Sequence, residues 1–133
     1  MILYNGESLA YVGDAIYELK IREYILDKGY QDVNKLHKYA VKFTSGESQS
    51  QIIDYLIKND LLTEEEINYF KRGRNSNHSK NRRSISVISY KKATGFEAMI
   101  GYLYLSNQHS RLEEVLGLVI KIIEEGLIWQ ESK

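Results

Sequence analysis

Along most of this chain apolar residues return every three or four positions, the period of an α-helix, and almost nowhere do they alternate as in a half-buried strand. Leu9, Val12, Ile16 and Leu19 are spaced three, four and three apart. They predict an amphipathic helix from about Ser8 to Lys28, closed by Gly29, with that quartet as its core stripe. Val33, Leu36, Ala40 and Phe43 repeat the period behind Asp32, whose carboxylate suits an N-cap. Thr44-Ser45-Gly46-Glu47 has capping-box spacing before Ile52, Ile53, Leu56 and Ile57, and Thr63-Glu64-Glu65-Glu66 has it before Ile67 and Phe70. A further helix is predicted to begin near Thr94. Ser110-Arg111-Leu112-Glu113 offers a third capping box before Val115, Leu116, Val119, Ile120, Ile122 and Ile123, with Gly126 as the stop. The one alternating stretch, Ser84-Ile85-Ser86-Val87, is too short to found a sheet. The pattern predicts an all-α fold.

Composition narrows this further. A chain of 133 residues is one domain's worth and can bury about two thirds of its unfolded surface without disulfides or structural metal. There is no proline to interrupt a helix. The absence of cysteine removes thiolate nucleophiles, disulfides and Cys-based zinc sites, and fits a reducing compartment. No stretch is apolar for the ~18 residues a membrane helix needs, and Met1-Ile2-Leu3-Tyr4-Asn5-Gly6 lacks the basic start and apolar run of a secretory signal. A cytoplasmic protein with no membrane partner is the expectation.

The formal charge of zero conceals a segregation. Residues 71 to 92 contain Lys71, Arg72, Arg74, Lys80, Arg82, Arg83, Lys91 and Lys92 and no acid, so this segment carries +8 and the remainder −8. A cationic arm on an acidic body points to a polyanion, because phosphates reward clustered Lys and Arg through counterion release. A solvated loop is the plainer reading. From Gly73 to Ser84 there is no apolar residue, and a mobile basic loop is expected over about 73–89. The whole of 1–133 reads as a single domain with its core over about 8–125.

Two acids stand in apolar company. Asp14 lies in Leu9-Ala10-Tyr11-Val12-Gly13-Asp14-Ala15-Ile16-Tyr17, on the side of its helix away from the predicted stripe. Glu97 lies in Thr94-Gly95-Phe96-Glu97-Ala98-Met99-Ile100-Gly101-Tyr102-Leu103, where Phe96, Ile100 and Leu103 mark a buried stripe. Gly101 costs ~1 kcal/mol relative to Ala inside a helix, which suggests close approach by another backbone or a ligand. Asp14 could simply be solvated, and Glu97 could serve a salt bridge. If the two carboxylates meet, oxygen-only ligands favour Mg2+ or Mn2+ over zinc, and a hard cation beside a basic arm suits phosphodiester hydrolysis. His37, His78 and His109 are isolated in polar surroundings and read as surface residues.

The segment Leu9 to Glu18 resembles the signature helix of the ribonuclease III family, and Gly95 to Leu105 its second catalytic helix. The similarity is nearest to the Mini-ribonuclease III branch, bacterial forms without a double-stranded-RNA-binding domain. Lys71-Arg72-Gly73-Arg74-Asn75 resembles the basic motif of that branch, and Leu36-His37-Lys38 its second helix. The resemblance covers residues 8 to 125 and implies a ribonuclease III endonuclease-domain-like helical bundle, homodimeric and magnesium-dependent, that cuts double-stranded RNA and matures 23S ribosomal RNA precursor. Manganese would be able to substitute. By position, Asp14 would be the principal catalytic aspartate and Glu97 the metal-binding glutamate. Lys71, Arg72, Arg74 and Asn75, with Lys80, Arg82 and Arg83 of the arm, would contact RNA. Ala10 stands where other ribonuclease III enzymes carry a glutamate, and Thr94 where they carry an aspartate. Glu7 matches an outer acid of the signature, and Glu18 is a further candidate to support the ligands. Two alternatives remain open: a catalytically inactive ribonuclease III-like RNA-binding or ribosome-associated protein, and a helical module whose basic loop binds an acidic partner.

Overall fold

The computed structural model describes residues 4–76 and 86–128. Six helices follow one another: α1 (Gly6–Asp27), α2 (Val33–Thr44), α3 (Gly46–Lys58), α4 (Glu64–Arg74), α5 (Val87–Leu105) and α6 (His109–Glu124). No strand occurs among the described residues. None of the described helices is long and apolar enough to cross a membrane. Asp32 caps α2 through the Asn34 N–H, and Thr63 with Glu66 closes a reciprocal capping box on α4, both as expected. Gly29 and Gly126 end α1 and α6 in the left-handed region, at φ of 95° and 65°, where a Cβ is disfavoured.

Three predicted starts shift. Ser45, not Thr44, caps α3, accepting from the Ser48 N–H; the Thr44 hydroxyl instead donates back to the Ala40 carbonyl within α2. Helix α5 begins at Val87 behind Ser86, whose side chain accepts from the Ser89 N–H, so Thr94 lies inside the helix. Helix α6 starts behind Gln108 with no side-chain cap, so Ser110 is a helical residue; Asn107, at φ 61°, turns the chain there. Of the loop expected over 73–89, Gly73 and Arg74 belong to α4 and 87–89 to α5, while 77–85 lie outside the described residues.

Helix α5 is the axis of the domain. Ten of its residues from Ala93 to Leu103 are buried, with only Glu97 in that span less than buried, because α1, α3 and α4 all pack against it. A helix apolar around most of its circumference is one surrounded by others. Helix α1 departs from the predicted stripe. Its buried face is Leu9, Ala10, Gly13, Tyr17, Ile21 and Ile25, while Leu19 is 51% exposed and Val12 and Ile16 are half-buried. At 100° per residue this face is turned by about 120° from the aliphatic quartet. The physical reason is a backbone-to-backbone crossing. A Cβ on Gly13 would lie 1.7 Å from the Glu97 carbonyl oxygen, and one on Gly101 2.1 Å from the Leu9 carbonyl oxygen. Small residues, not the aliphatic quartet, mark the point at which α1 crosses α5. On its other flank α5 takes α4 in the same way: a Cβ on Gly73 would lie 2.8 Å from the Thr94 carbonyl oxygen, and one on Gly95 2.6 Å from Phe70.

The ends of α4 and α6 are tied by a buried ion pair. The Arg111 guanidinium donates to both Glu66 oxygens, at 2.7 and 2.9 Å, and to the Leu61 carbonyl at 2.9 Å. Burial pushes the Glu66 carboxyl up, but hydrogen bonds from Arg111 and the Thr63 backbone outweigh it and hold the group below the usual carboxylate range.

Candidate active site

The crossing of α1 and α5 sets the position of the two singled-out acids. The backbone of Gly13 touches that of Glu97, so Asp14, the next residue, stands on the turn of α1 that faces the Glu97 turn of α5. Asp14 is exposed and Glu97 half-buried. Tyr17, one turn beyond Gly13, is buried against Phe96 with ring centroids 5.0 Å apart, and its hydroxyl donates to the Phe43 carbonyl at 2.8 Å. Burial raises the Tyr17 phenol well above its ordinary range, and the negative charges of Glu18 and Glu97 add to this, which places Tyr17 within the field of the site. The phenol stays neutral and serves as a donor that ties α1 to the last turn of α2.

The basic motif reaches the same part of α5. Gly73 packs on Thr94, Gly95 and Ala98, the residues on either side of Glu97. Its neighbours Lys71, Arg72 and Asn75 are exposed and Arg74 half-buried. The Arg74 Nε donates to the Asn75 side chain at 3.1 Å. A cationic last turn is also favourable to α4 itself, because its carbonyl ends carry partial negative charge. The first turn of α1 joins from the other side: a Cβ on Gly6 would lie 2.4 Å from the Arg72 carbonyl oxygen. The structure therefore gathers Asp14, Glu97 and the stretch Lys71 to Asn75 around one segment of α5. Lys80, Arg82 and Arg83 lie outside the described residues, as does His78.

Other expectations separate from the site. His37 and His109 are exposed, and the His109 ring lies edge-to-face with that of Tyr104 at 5.6 Å. The Glu18 carboxylate accepts from Arg22 Nε at 3.4 Å on the solvent side of α1. Tyr17 and Tyr102 are 1% and 4% exposed, whereas Tyr11 is 83% and Tyr104 37% exposed. The two positions at which the resemblance sets acids in ribonuclease III enzymes are occupied otherwise. Ala10 is buried, and the Thr94 hydroxyl donates to the Tyr90 carbonyl at 3.0 Å.

A hard cation is compatible with these donors, since Asp14 and Glu97 offer only carboxylate oxygens. Among the described residues, no group of three or more His, Cys, Asp or Glu side chains forms a metal site. Sequence reasoning missed the aromatic supports of the basic motif, Tyr69 under Arg72 and Phe70 under Arg74. Their signal was present as i,i+3 and i,i+4 spacing between ring and guanidinium.

The family model of the ribonuclease III domain matches residues 7–108. The chain is 49% identical over 123 residues to Mini-ribonuclease 3 of Clostridium tetani, covering 92% of this chain and 80% of that one. It is 42% identical over 122 residues to Mini-ribonuclease 3 of Acholeplasma laidlawii, covering 92% and 96%. A crystal structure of a protein from Fusobacterium nucleatum superposes with a TM-score of 0.81 at 39% identity, covering 91% of this chain and 97% of that one. The chain belongs to the ribonuclease III family of endoribonucleases, in its Mini-ribonuclease 3 branch.

Proposed function

We propose that this protein is a magnesium-dependent endoribonuclease that hydrolyses phosphodiesters of double-stranded RNA, acts as a homodimer, and matures 23S ribosomal RNA precursor in the cytoplasm. The observation that supports the reading is the glycine crossing at Gly13 and Gly101, which brings the turn of α1 that carries Asp14 against the Glu97 turn of α5, on the segment that also receives the basic end of α4. Asp14 and Glu97 would hold the metal, which supplies Lewis acidity that activates water and offsets charge on the phosphate. The rest of the work belongs to the chain. Lys71, Arg72, Arg74 and Asn75, with Lys80, Arg82 and Arg83, bind the sugar-phosphate backbone and offset the acidic body. A-form RNA presents phosphates and 2′-hydroxyls across a shallow minor groove, so such contacts recognise the duplex by shape. Residues 1–133 serve as one catalytic domain, and the exposed apolar residues of α1, among them Tyr11, Leu19 and Leu26, supply area for a second copy.

One observation favours a second reading. With Ala10 buried, Thr94 bonded within its own helix and no three-ligand group among the described residues, the donor set is lean, as expected of a relative that binds RNA without cutting it. Incubation with duplex and single-stranded RNA, with and without Mg2+, separates the two. Metal-dependent cutting confined to the duplex supports the enzyme; metal-independent binding without cutting supports the alternative.

A further inference from the structure

The last turn of α4 folds two arginines back on rings of the preceding turn. Arg72 Cζ lies 4.6 Å from the Tyr69 ring centroid and Arg74 Cζ 5.4 Å from that of Phe70. What backs the Tyr69 ring is a second tyrosine. Tyr69 is stacked on Tyr102 of α5, with centroids 3.9 Å apart and planes 8° from parallel. The Tyr102 hydroxyl donates to the Glu65 carboxylate at 2.6 Å, which fixes the angle of the lower ring. Both tyrosines are buried while Arg72 is exposed. Arg72 is thus the solvent-facing end of a column that runs Glu65, Tyr102, Tyr69, Arg72 across two helices.

We propose that Tyr69 and Tyr102 are positioning residues that hold the Arg72 guanidinium ready for a phosphate of duplex RNA; the role rests on the reading of Arg72 as an RNA contact. A guanidinium held through its face keeps its N–H donors, which lie in its plane, free for phosphate oxygens. Arginine must surrender rotamer freedom when it pairs with phosphate. A side chain already parked on a ring has surrendered part of it before RNA arrives, and binding is strengthened by that much. The stack also couples the contact to the axis helix: Tyr102 and Glu97 share α5, so the anchor for the RNA backbone and the metal-ligand candidate are mounted on one rigid element.

If the two tyrosines were only core, their replacement would alter stability and leave RNA affinity alone. The test is a double-mutant cycle on duplex RNA affinity, measured with Ca2+ in place of Mg2+, beside thermal unfolding of each variant. Arg72→Gln is expected to weaken binding, and Tyr69→Leu to weaken it about two- to five-fold, the worth of a cation–π contact near the surface. Tyr69→Phe, which keeps the ring face, should bind as the parent does. In the double variant Tyr69→Leu should add nothing to Arg72→Gln. Arg72→Lys keeps the charge but not the planar fork and should still lose affinity, so the inference stays testable if Tyr69→Leu does not fold. An effect of Tyr69→Leu that adds in full to Arg72→Gln, or parent affinity in Tyr69→Leu or Arg72→Lys, overturns the positioning role. A silent Arg72→Gln removes Arg72 from the RNA interface and the positioning role with it.

Discussion

Replacing Gly13 with alanine should damage this protein more than any other single added methyl group. The new Cβ would stand 1.7 Å from the Glu97 carbonyl oxygen, 2.7 Å from its carbon and 2.8 Å from the Gly101 nitrogen. All three are backbone atoms, so no side chain can rotate away. Restoring an ordinary contact of about 3.4 Å to that oxygen requires α1 and α5 to part by more than ~1 Å along the longest shared interface of the domain. Overpacking of this kind costs typically ~1–3 kcal/mol, and the rigid neighbours here put Gly13→Ala at or above ~3 kcal/mol. For a domain of this size that is a fall in Tm on the order of 10 °C. Because the same separation carries Asp14 away from Glu97, duplex cleavage should fall further than stability does, on the order of 100-fold for a displacement of ~1 Å. Gly117→Ala is the control: nothing lies within 4 Å of its added Cβ on α6, so it should gain ~0.5–1 kcal/mol from helix propensity with no change in cleavage. Circular-dichroism melts and cleavage of a labelled duplex give both readouts. A Gly13→Ala protein that melts and cuts like the parent would show that the crossing is looser than these distances require and would remove it as the device that sets the site.

Asp14→Asn and Glu97→Gln are each expected to abolish cleavage while leaving folding and RNA binding largely intact, and the double variant should be no worse than either; recovery of the parent rate in one removes that residue from the mechanism. Converting Arg72, Arg74, Arg82 and Arg83 to Gln should weaken binding to unrelated duplexes and flatten its salt dependence, and an unchanged salt slope would make the arm a solvated loop. Sedimentation at micromolar concentration should return a dimer, and a monomer there would count against two-strand cutting by paired sites. Glu66→Ala, which removes the buried carboxylate and leaves Arg111 only the exposed Glu114 as an ion-pair partner, should cost about 3 kcal/mol. Since the folded pKa of Glu66 is depressed, its contribution is present above the ordinary value of 4.5 and is lost as pH falls through the lower folded value, so Glu66→Ala and the parent should converge in Tm below that window. Curves that stay parallel into acid would place the stabilisation elsewhere.

The helices were legible because each pairs an apolar period with an end signal, and they were misread where two signals compete. Thr94 looked like a start since it opens the apolar stretch, yet Ser86, eight residues earlier, caps the helix; Ile85 and Val87 beside it read as strand alternation. Ser110 has capping-box spacing, but Asn107 in the left-handed region had already turned the chain into α6. Local rules register what a residue can do, not which neighbour has done it first.

The site was legible for a different reason, and the error on α1 shows why. Ranking faces by bulk selected Leu9, Val12, Ile16 and Leu19 as core and set Asp14 opposite to it. The observed face is centred between Gly13 and Tyr17, which brings Asp14 to the rim of the interface with α5. Bulk measures how much surface a helix could bury, whereas small residues measure how near another backbone can come, and a carboxylate reaches across a crossing only where the backbones are near. Gly101, a glycine inside an apolar helix, carries that meaning in the sequence alone. Gly13 carries the same meaning, and reading the pair together would have predicted the crossing, the burial of Tyr17 and the turn of α1 that leaves Leu19 and Tyr11 in solvent. Leu19, the one member of the aliphatic quartet left exposed, then joins Tyr11 and Leu26 as surplus that a second copy would cover, so the residue that least fits the core of one copy belongs to the face on which the proposed dimer depends.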